Sequence, residues 1–444
     1  MSKVSKGILV GSISGFPEML PKDQIAFNQC LDLIRKQFES FGFSPLETPV
    51  VEKASTLLSK GNDSEIYGLC RLASEEMAKK ELGLRFDLTI PLARYVAEHH
   101  GQLVFPYKRY HIAPVFRGER AQAGRYRQFI QCDIDIIGDE SLALAYDAEV
   151  LAIVHKIFTA IGLSNYRIKI NNRKILIGLI QSFGVDPDKI EATIRQIDKK
   201  EKIDQNEMER GLTEIGVEAK AIREILAFLE IKGTNREMLS YLDSLPKEGT
   251  FEEGLKELTE VLHLAEAFHV PDHVFEIDPT LARGLNYYTG TIYETKWLDC
   301  LEIGTICAGG RYQNLAGTFT KKVLPGVGIS IGVSRLIPKM IEKGLIATDK
   351  ETFARVLVTV QDRRFLSHYI AIAEKIRNRG IATEVYLQEK PLPNQMKYAV
   401  RKGFEVVVIA NEAEIHAGQI NYKVLSEQRQ VESTVEELIE YLTR

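Results

Sequence analysis

The chain has 444 residues, is 45% hydrophobic and 27% charged, and carries a formal net charge of −4. That length exceeds what one core holds and predicts two or three domains, while the charge balance excludes a generally basic nucleic-acid binder, so RNA contacts must come from local patches. No apolar run approaches the ~20 residues that span a bilayer, and the start MSKVSKGILVGSISGF is too short in apolar length for a signal peptide. The five cysteines are scattered without a C-x-x-C pair, so neither zinc nor a disulfide framework is expected, and a reduced, cytoplasmic protein is.

In chain order, residues 21–42 predict an amphipathic helix, with Ile25, Cys30, Leu31, Ile34 and Phe38 on one stripe and a stop at Gly42. FSPLETPVVEK follows as a strand interrupted by Pro45 and Pro49, which suits a sheet edge. Such an edge beside a long helix serves either as a dimer seam or as a surface loop. LGLRFDLTI (82–90) is strand-like and would place Arg85, Asp87 and Thr89 on one face. Asp87 then has two readings: with Thr89 it receives a ligand ammonium, or it caps the next helix, PLARYVAEHH.

The densest chemistry lies in residues 116–136, FRGERAQAGRYRQFIQCDIDI. Arg117, Arg120, Arg125 and Arg127 fall within a dozen residues, and Lys108 to Arg127 holds six basic residues against one acidic. Guanidinium groups keep their charge and present a rigid fork of donors suited to phosphate oxygens. The following run alternates, with Gln131, Asp133 and Asp135 on one face and Ile130, Cys132, Ile134 and Ile136 on the other. The pattern is strand, polar turn at Gly124, strand. Its turn is either a polyphosphate clamp beside an acceptor-bearing strand or a solvated basic loop beside a half-exposed strand.

Residues 142–162 predict a helix and YRIKIN (166–171) a strand. From Arg173 to Phe268 the chain is rich in Lys, Glu and helix formers, with Gly and Pro kept to breaks, and predicts a helical insertion. Strand signals return at VFEIDP. LARGLNYYTGTIYET (281–295) combines an arginine, two adjacent tyrosines and two glycines, although a tyrosine pair is also ordinary core packing. CAGGRYQNLAG (307–317) suggests a glycine-rich turn, and residues 324–344 a strand entering a helix that carries Arg335. There is no G-x-x-x-x-G-K-[ST] loop, so a P-loop fold is not expected. After about Ala347, strands and helices alternate as in a compact α/β domain.

Together these segments resemble the class II aminoacyl-tRNA synthetases, specifically the histidyl-tRNA synthetase family. Phe116–Arg120 with Arg125–Phe129 is similar to the second class-defining motif, GVGISIGVSRL ending in Arg335 to the third, and FGFSPLETPVVE to the first. Arg283-Gly284-Leu285-Asn286-Tyr287-Tyr288-Thr289-Gly290, with AGGRY downstream, is similar to the family's histidine-binding segments, and the HIGH and KMSKS elements of class I are absent. Asn286, Gln313 and Ala121 depart from the family's commoner Asp, Asp and Pro.

The resemblance implies an α+β core, an antiparallel sheet flanked by helices, split over residues 1–172 and 269–346 by a helical insertion at 173–268. An α/β anticodon-binding domain would follow over 352–444. It also implies a homodimer that makes histidyl-adenylate from L-histidine and ATP, with Mg2+ on the outer phosphates and no metal held by the protein, and then charges tRNA(His). The catalytic set would be Arg117, Arg283 and Arg335. Arg117 would neutralise the α-phosphate and Arg125 the γ-phosphate, Glu119 and Phe129 would hold the adenine, and Arg335 would cover its other face. Asp87, Thr89 and Gln131 would hold the histidine ammonium, with Leu88 and Arg117 lining the same site. Asp135 and Tyr287 would take the imidazole nitrogens beside Tyr288, and Arg283 the carboxylate and α-phosphate. A catalytically silent regulatory relative is the competing expectation, although such relatives typically lose the catalytic arginines.

Overall fold

A computed structural model describes residues 11–59, 65–71, 81–120, 124–282 and 288–443. The chain forms two compact units, one containing residues 30–339 and the other residues 19–29 and 340–443.

Helix α1 (Pro21–Ser40) buries Ala26, Phe27, Cys30, Leu31, Ile34 and Phe38 at helical spacing. After it come β1 (Ser44–Pro45), β2 (Val51–Lys53), the single turn α2 (Ala54–Leu57), β3 (Gly68–Leu69) and β4 (Leu82–Leu84). Strands β2, β4 and β3 make a small antiparallel sheet. The strand expected over 82–90 is therefore only its first three residues, and α3 (Thr89–His99) begins where the sequence pattern continued a strand. Pro91 fits the first turn of a helix, whose leading N–H groups lack partners anyway, and Asp87 Oδ1 accepts the Ile90 N–H at 3.1 Å. Arg85, Asp87 and Thr89 thus do not share a sheet face. Arg85 is fully buried, donating to the carbonyls of Thr48 (2.6 Å) and Pro114 (2.9 Å), so its role is structural.

Strands β5 (Tyr107–Phe116) and β6 (Gln128–Ile137) form the expected hairpin, in register from Tyr107↔Ile137 to Phe116↔Gln128. Helix α4 (Ala145–Ala160) and strand β7 (Tyr166–Asn172) follow. Then come helices α5 (Arg173–Ser182), α6 (Ile190–Ile197), α7 (Gln205–Ile215), α8 (Ala219–Leu229), α9 (Asn235–Ser244) and α10 (Gly249–Ala267), with no strand between them. Strands β8 (Phe275–Ile277), β9 (Tyr288–Trp297), β10 (Thr305–Tyr312) and β11 (Gly326–Ile331) and helix α11 (Val333–Glu342) complete this part of the chain.

The central sheet runs β1-β5-β6-β11-β10-β9-β7-β8, antiparallel except where β1 joins β5 and β8 joins β7. One face of β6 and its neighbour is apolar, with Cys132, Ile134 and Ile136 opposite Ile331, Ile329 and Val327, all buried. Helix α4, which buries Val150, Leu151, Ile153, Val154, Ile157 and Phe158, packs on β11. The other face carries Gln131, Asp133 and Asp135. It is buried too, so β6 is not the half-exposed strand that one reading of the sequence allowed. AGGRY is likewise not a turn but the middle of β10. Gly309 is required there, because a Cβ would sit 2.0 Å from the Gly328 carbonyl oxygen.

The second unit is a five-stranded sheet, β13-β12-β14-β15-β16. Its strands are β12 (Val356–Val358), β13 (Thr383–Val385), β14 (Val406–Ile409), β15 (Ile420–Val424) and β16 (Arg429–Ser433). Its helices are α12 (Leu366–Arg377), α13 (Leu392–Lys402), α14 (Glu412–Ala417) and α15 (Val435–Thr443). Strand alternation sends Val356, Val358, Val406 and Val408 to a core with Tyr369, Ala373, Ile376, Leu438 and Leu442. Leu357 and Val407 go to the opposite core with Ala399 and Phe404. Each such buried aliphatic side chain contributes about 1.5–3 kcal/mol. Sequence alternation identified this unit but passed over α14 and β16.

Candidate active site

The polar face of β6 is flanked by β5 and β11. From β5, Arg109 pairs across with Asp135, His111 with Asp133, and Ala113 with Gln131; from β11, Gly328 lies opposite Asp135 and Ser330 opposite Asp133. Paired residues in a sheet point to the same face, so the register alone brings these groups together. Arg109 Nη2 meets Asp135 Oδ2 at 2.5 Å, and the Tyr312 hydroxyl donates to Asp135 Oδ1 at 2.9 Å, so both oxygens are held. A Cβ on residue 328 would lie 2.2 Å from that Oδ1, which explains glycine there. Gln131 Nε2 donates to Ser330 Oγ at 2.7 Å.

Charge in this pocket is poorly solvated. Burial pushes the Asp133 carboxyl up to about 7 and that of Asp87 up to about 6, and raises Asp135, against the opposing pull of Arg109. Arg109 is fully buried, and its Nε and Nη1 have no partner among the described residues; neither do Asp133 Oδ1 and Gln131 Oε1. Unpaired buried polar groups are expensive, so their concentration here marks a place built for polar ligand atoms. His111, also buried, is held down to about 3 by burial and by Arg109 and Arg85, and is neutral. Its Nε2 lies 3.3 Å from Glu47 Oε2.

The arginine-bearing turn adjoins this pocket. Arg117 Nε donates to the Phe86 carbonyl at 3.1 Å, and its guanidinium lies 5.1 Å from the centre of the Phe129 ring. Phe129 rests on Leu88, Ala113 and Val115. Arg125, 57% exposed, faces Glu119 at 3.7 Å. Arg335, from the first turn of α11, donates to the carbonyls of Gly124 (2.8 Å) and Thr305 (2.9 Å), tying the hairpin turn to the start of β10. Nearby, a cavity of about 350 Å3 is lined by Leu142, Lys174, Glu257, Thr289, Arg311 and Gln313. Its charges are paired internally, Lys174 with Glu257 at 2.6 Å and Arg311 with Asp147 at 2.8 Å.

Residues 15–336 match the sequence family described as Histidyl-tRNA synthetase, which is more than half of the chain, and residues 354–444 match Anticodon binding domain. The chain belongs to the histidyl-tRNA synthetase family. It is 42% identical to a histidine–tRNA ligase of Xanthomonas campestris pv. campestris, over 96% of this chain and 94% of that one. It is 41% identical to a histidine–tRNA ligase of Clostridium tetani, over 99% of both. The crystal structure of histidyl-tRNA synthetase from Nostoc superimposes with a TM-score of 0.89 at 38% identity, covering 98% of this chain and 99% of that one. These ligases, together with the anticodon-binding match, favour an active enzyme over a silent regulatory relative.

Within this family fold, Gln131, Asp135, Leu88 and Arg117 converge on the β6 pocket, and Asp87 joins them through its charge coupling to Arg117 and Arg109. Asp87 also caps α3, so the two roles weighed for it do not exclude each other. Thr89 reaches this region from the first turn of α3 rather than from a strand. Glu119, Arg125, Phe129 and Arg335 gather around the hairpin turn. Tyr288 opens β9, opposite Tyr312. Arg283 and Tyr287 lie outside the described residues, as do Asn286 and Ala121. Arg109, Tyr312 and Ser330 are site residues that no motif in the sequence sets apart individually. Arg109 could have been found by its position, since it sits among the basic residues counted before the hairpin turn.

Proposed function

We propose that this chain joins L-histidine to the 3′ end of tRNA(His) in two steps, through histidyl-adenylate and release of pyrophosphate. The observation that carries the reading is the buried β6 face, where Gln131 and two carboxylates meet the partly unpartnered Arg109 beside the arginine-bearing hairpin turn. The substrate carboxylate is already ionised at neutral pH, so its attack on the α-phosphorus needs no general base; positioning and charge neutralisation suffice. Arg117 would face the α-phosphate and Arg125 the γ-phosphate. Glu119 and Phe129 would hold the adenine, with Arg335 across it. Asp87, Thr89 and Gln131 would receive the ammonium, with Leu88 forming the wall. Asp135 and Tyr287 would take the two ring nitrogens beside Tyr288. A pocket that bonds both nitrogens rejects analogues lacking them by about 10⁴–10⁵.

No three His, Cys, Asp or Glu side chains cluster to hold a metal among the described residues. Mg2+ would arrive with ATP as part of the substrate, on phosphate oxygens. No helix among the described residues is long and apolar enough to cross a membrane. A cytoplasmic homodimer completes the proposal, on the resemblance of residues 21–52 to the family's dimer motif. Sedimentation of only a ~50 kDa species at micromolar concentration would refute the dimer, the chain's mass being 50.1 kDa.

The test of the chemistry is Arg283→Ala in single-turnover kinetics. Bridging the carboxylate and the α-phosphate, Arg283 should contribute most in the transition state, so adenylate formation should slow by about 10²–10³. Transfer from preformed adenylate should suffer much less, and Arg283→Lys should rescue only partly, because a point charge cannot replace a fork. Near wild-type activation by Arg283→Ala would remove this residue from the chemistry.

A further inference from the structure

Ser330 lies between two side chains of the β6 face. It accepts from Gln131 Nε2 at 2.7 Å, and it lies directly opposite Asp133 in the sheet, on the same face. Above pH 7 the Asp133 carboxyl is ionised and only accepts, so the Ser330 proton, whose oxygen is taken by Gln131, has Asp133 as the acceptor facing it. The oxygen of Ser330 is then left as an acceptor, and it can take only the NH2 end of the Gln131 amide. An amide's two ends cannot be told apart by shape, so it is this chain of donors and acceptors that fixes which way Gln131 faces. The outcome is a Gln131 Oε1 that is buried, without a partner among the described residues, and fixed as an acceptor.

We propose that Asp133 and Ser330 are positioning residues that set the polarity of Gln131, turning its carbonyl oxygen toward the ammonium group of the bound amino acid. This rests on the reading that Gln131 meets that ammonium. Neither Asp133 nor Ser330 need touch the ligand. Arg109, which acts electrostatically on Asp133 from β5, helps to keep the carboxylate in its accepting form. Replacing Asp133 with Asn offers Ser330 an NH2 donor instead. Ser330 then donates to Gln131, whose amide turns and points NH2 at the ammonium, so that an attraction becomes a repulsion. Ser330→Ala breaks the chain and leaves the amide unfixed.

The test compares two ligands of the full-length protein by calorimetry at pH 8, where Asp133 is ionised: L-histidine and 3-(imidazol-4-yl)propionate, which lacks only the ammonium. Asp133→Asn and Ser330→Ala should each weaken histidine by about 10–100-fold, the range of a hydrogen bond to a charged group, and leave the propionate within twofold. Pyrophosphate exchange should show the same split, with the histidine KM raised and the ATP KM unchanged. In a Gln131→Ala background, Asp133→Asn should add little. Equal weakening of both ligands by Asp133→Asn and Ser330→Ala assigns them a merely structural role and overturns the proposal. Gln131→Ala separates the two levels. If it weakens histidine selectively while the other two variants do not, the relay is wrong and the reading of Gln131 survives. If it leaves histidine unchanged, that reading fails and the relay fails with it.

Discussion

Arg109→Gln should be among the most damaging single changes on the central sheet. The pair it breaks is close, 2.5 Å, and dry: the side chains of Arg109 and Asp135 are 0% and 6% exposed. Removing one partner of a buried pair leaves the other charge uncompensated, at about 3–5 kcal/mol. Here Asp133 and Asp87 lose the same counter-charge. The pH dependence follows by linkage: without Arg109 the pocket carboxyls titrate higher still, so the loss is fullest at pH 8, where they are ionised, and shrinks toward pH 5 as they protonate. Urea unfolding followed by tryptophan fluorescence suits the measurement. Trp297 is the chain's single tryptophan and lies buried on β9 of the same sheet. The double variant Arg109→Met with Asp135→Leu should recover much of the loss, since apolar replacement of both partners removes the stranded charge. The surface pair Arg364–Asp362, of similar length at 2.6 Å but largely exposed, should give no measurable change when broken. A loss below about 1 kcal/mol for Arg109→Gln, or one that does not vary with pH, would refute the reasoning.

Gly328→Ala puts a methyl 2.2 Å from Asp135 Oδ1 and 2.5 Å from the Ile134 carbonyl, so histidine affinity should fall by at least about tenfold with the ATP KM within twofold; unchanged affinity contradicts the packing. Asp133, raised from 3.8 to about 7, holds its proton in the folded protein over a range where the unfolded chain has lost it, so its contribution is complete below pH 4 and is lost as pH rises through 7. Asp133→Asn should therefore raise the stability of the ligand-free protein by less than about 2 kcal/mol at pH 5 and by up to about 4 kcal/mol at pH 8, with Tm rising accordingly; an unchanged Tm at pH 8 would contradict this. Removal of residues 352–444 should spare histidine-dependent pyrophosphate exchange and cripple tRNA charging, and equal loss of both in a folded truncation would show that the division of labour is wrong.

The hairpin was legible because its signals are local: ten-residue strands, alternation through FIQCDIDI and a basic turn with Gly124. The second unit was legible for the same reason. What escaped is what register decides. Thr89 belongs to a helix because Asp87 caps it and Pro91 tolerates it, whereas LGLRFDLTI alone has the period of a strand. CAGGRY has a turn's composition, yet its glycines sit in a strand because neighbouring backbones approach too closely for a side chain. Arg109, Tyr312 and Ser330 are far apart in sequence from one another and become site residues only through the pairings of β5, β10 and β11 around β6.

The most direct test of the whole account is the purified protein's ATP–pyrophosphate exchange with each of the twenty amino acids, followed by charging of total tRNA. Exchange with histidine alone, at least about 10⁴-fold above the others, together with charging of tRNA(His) alone, is the predicted result. Exchange that is absent with histidine, or equally strong with another amino acid, would contradict it.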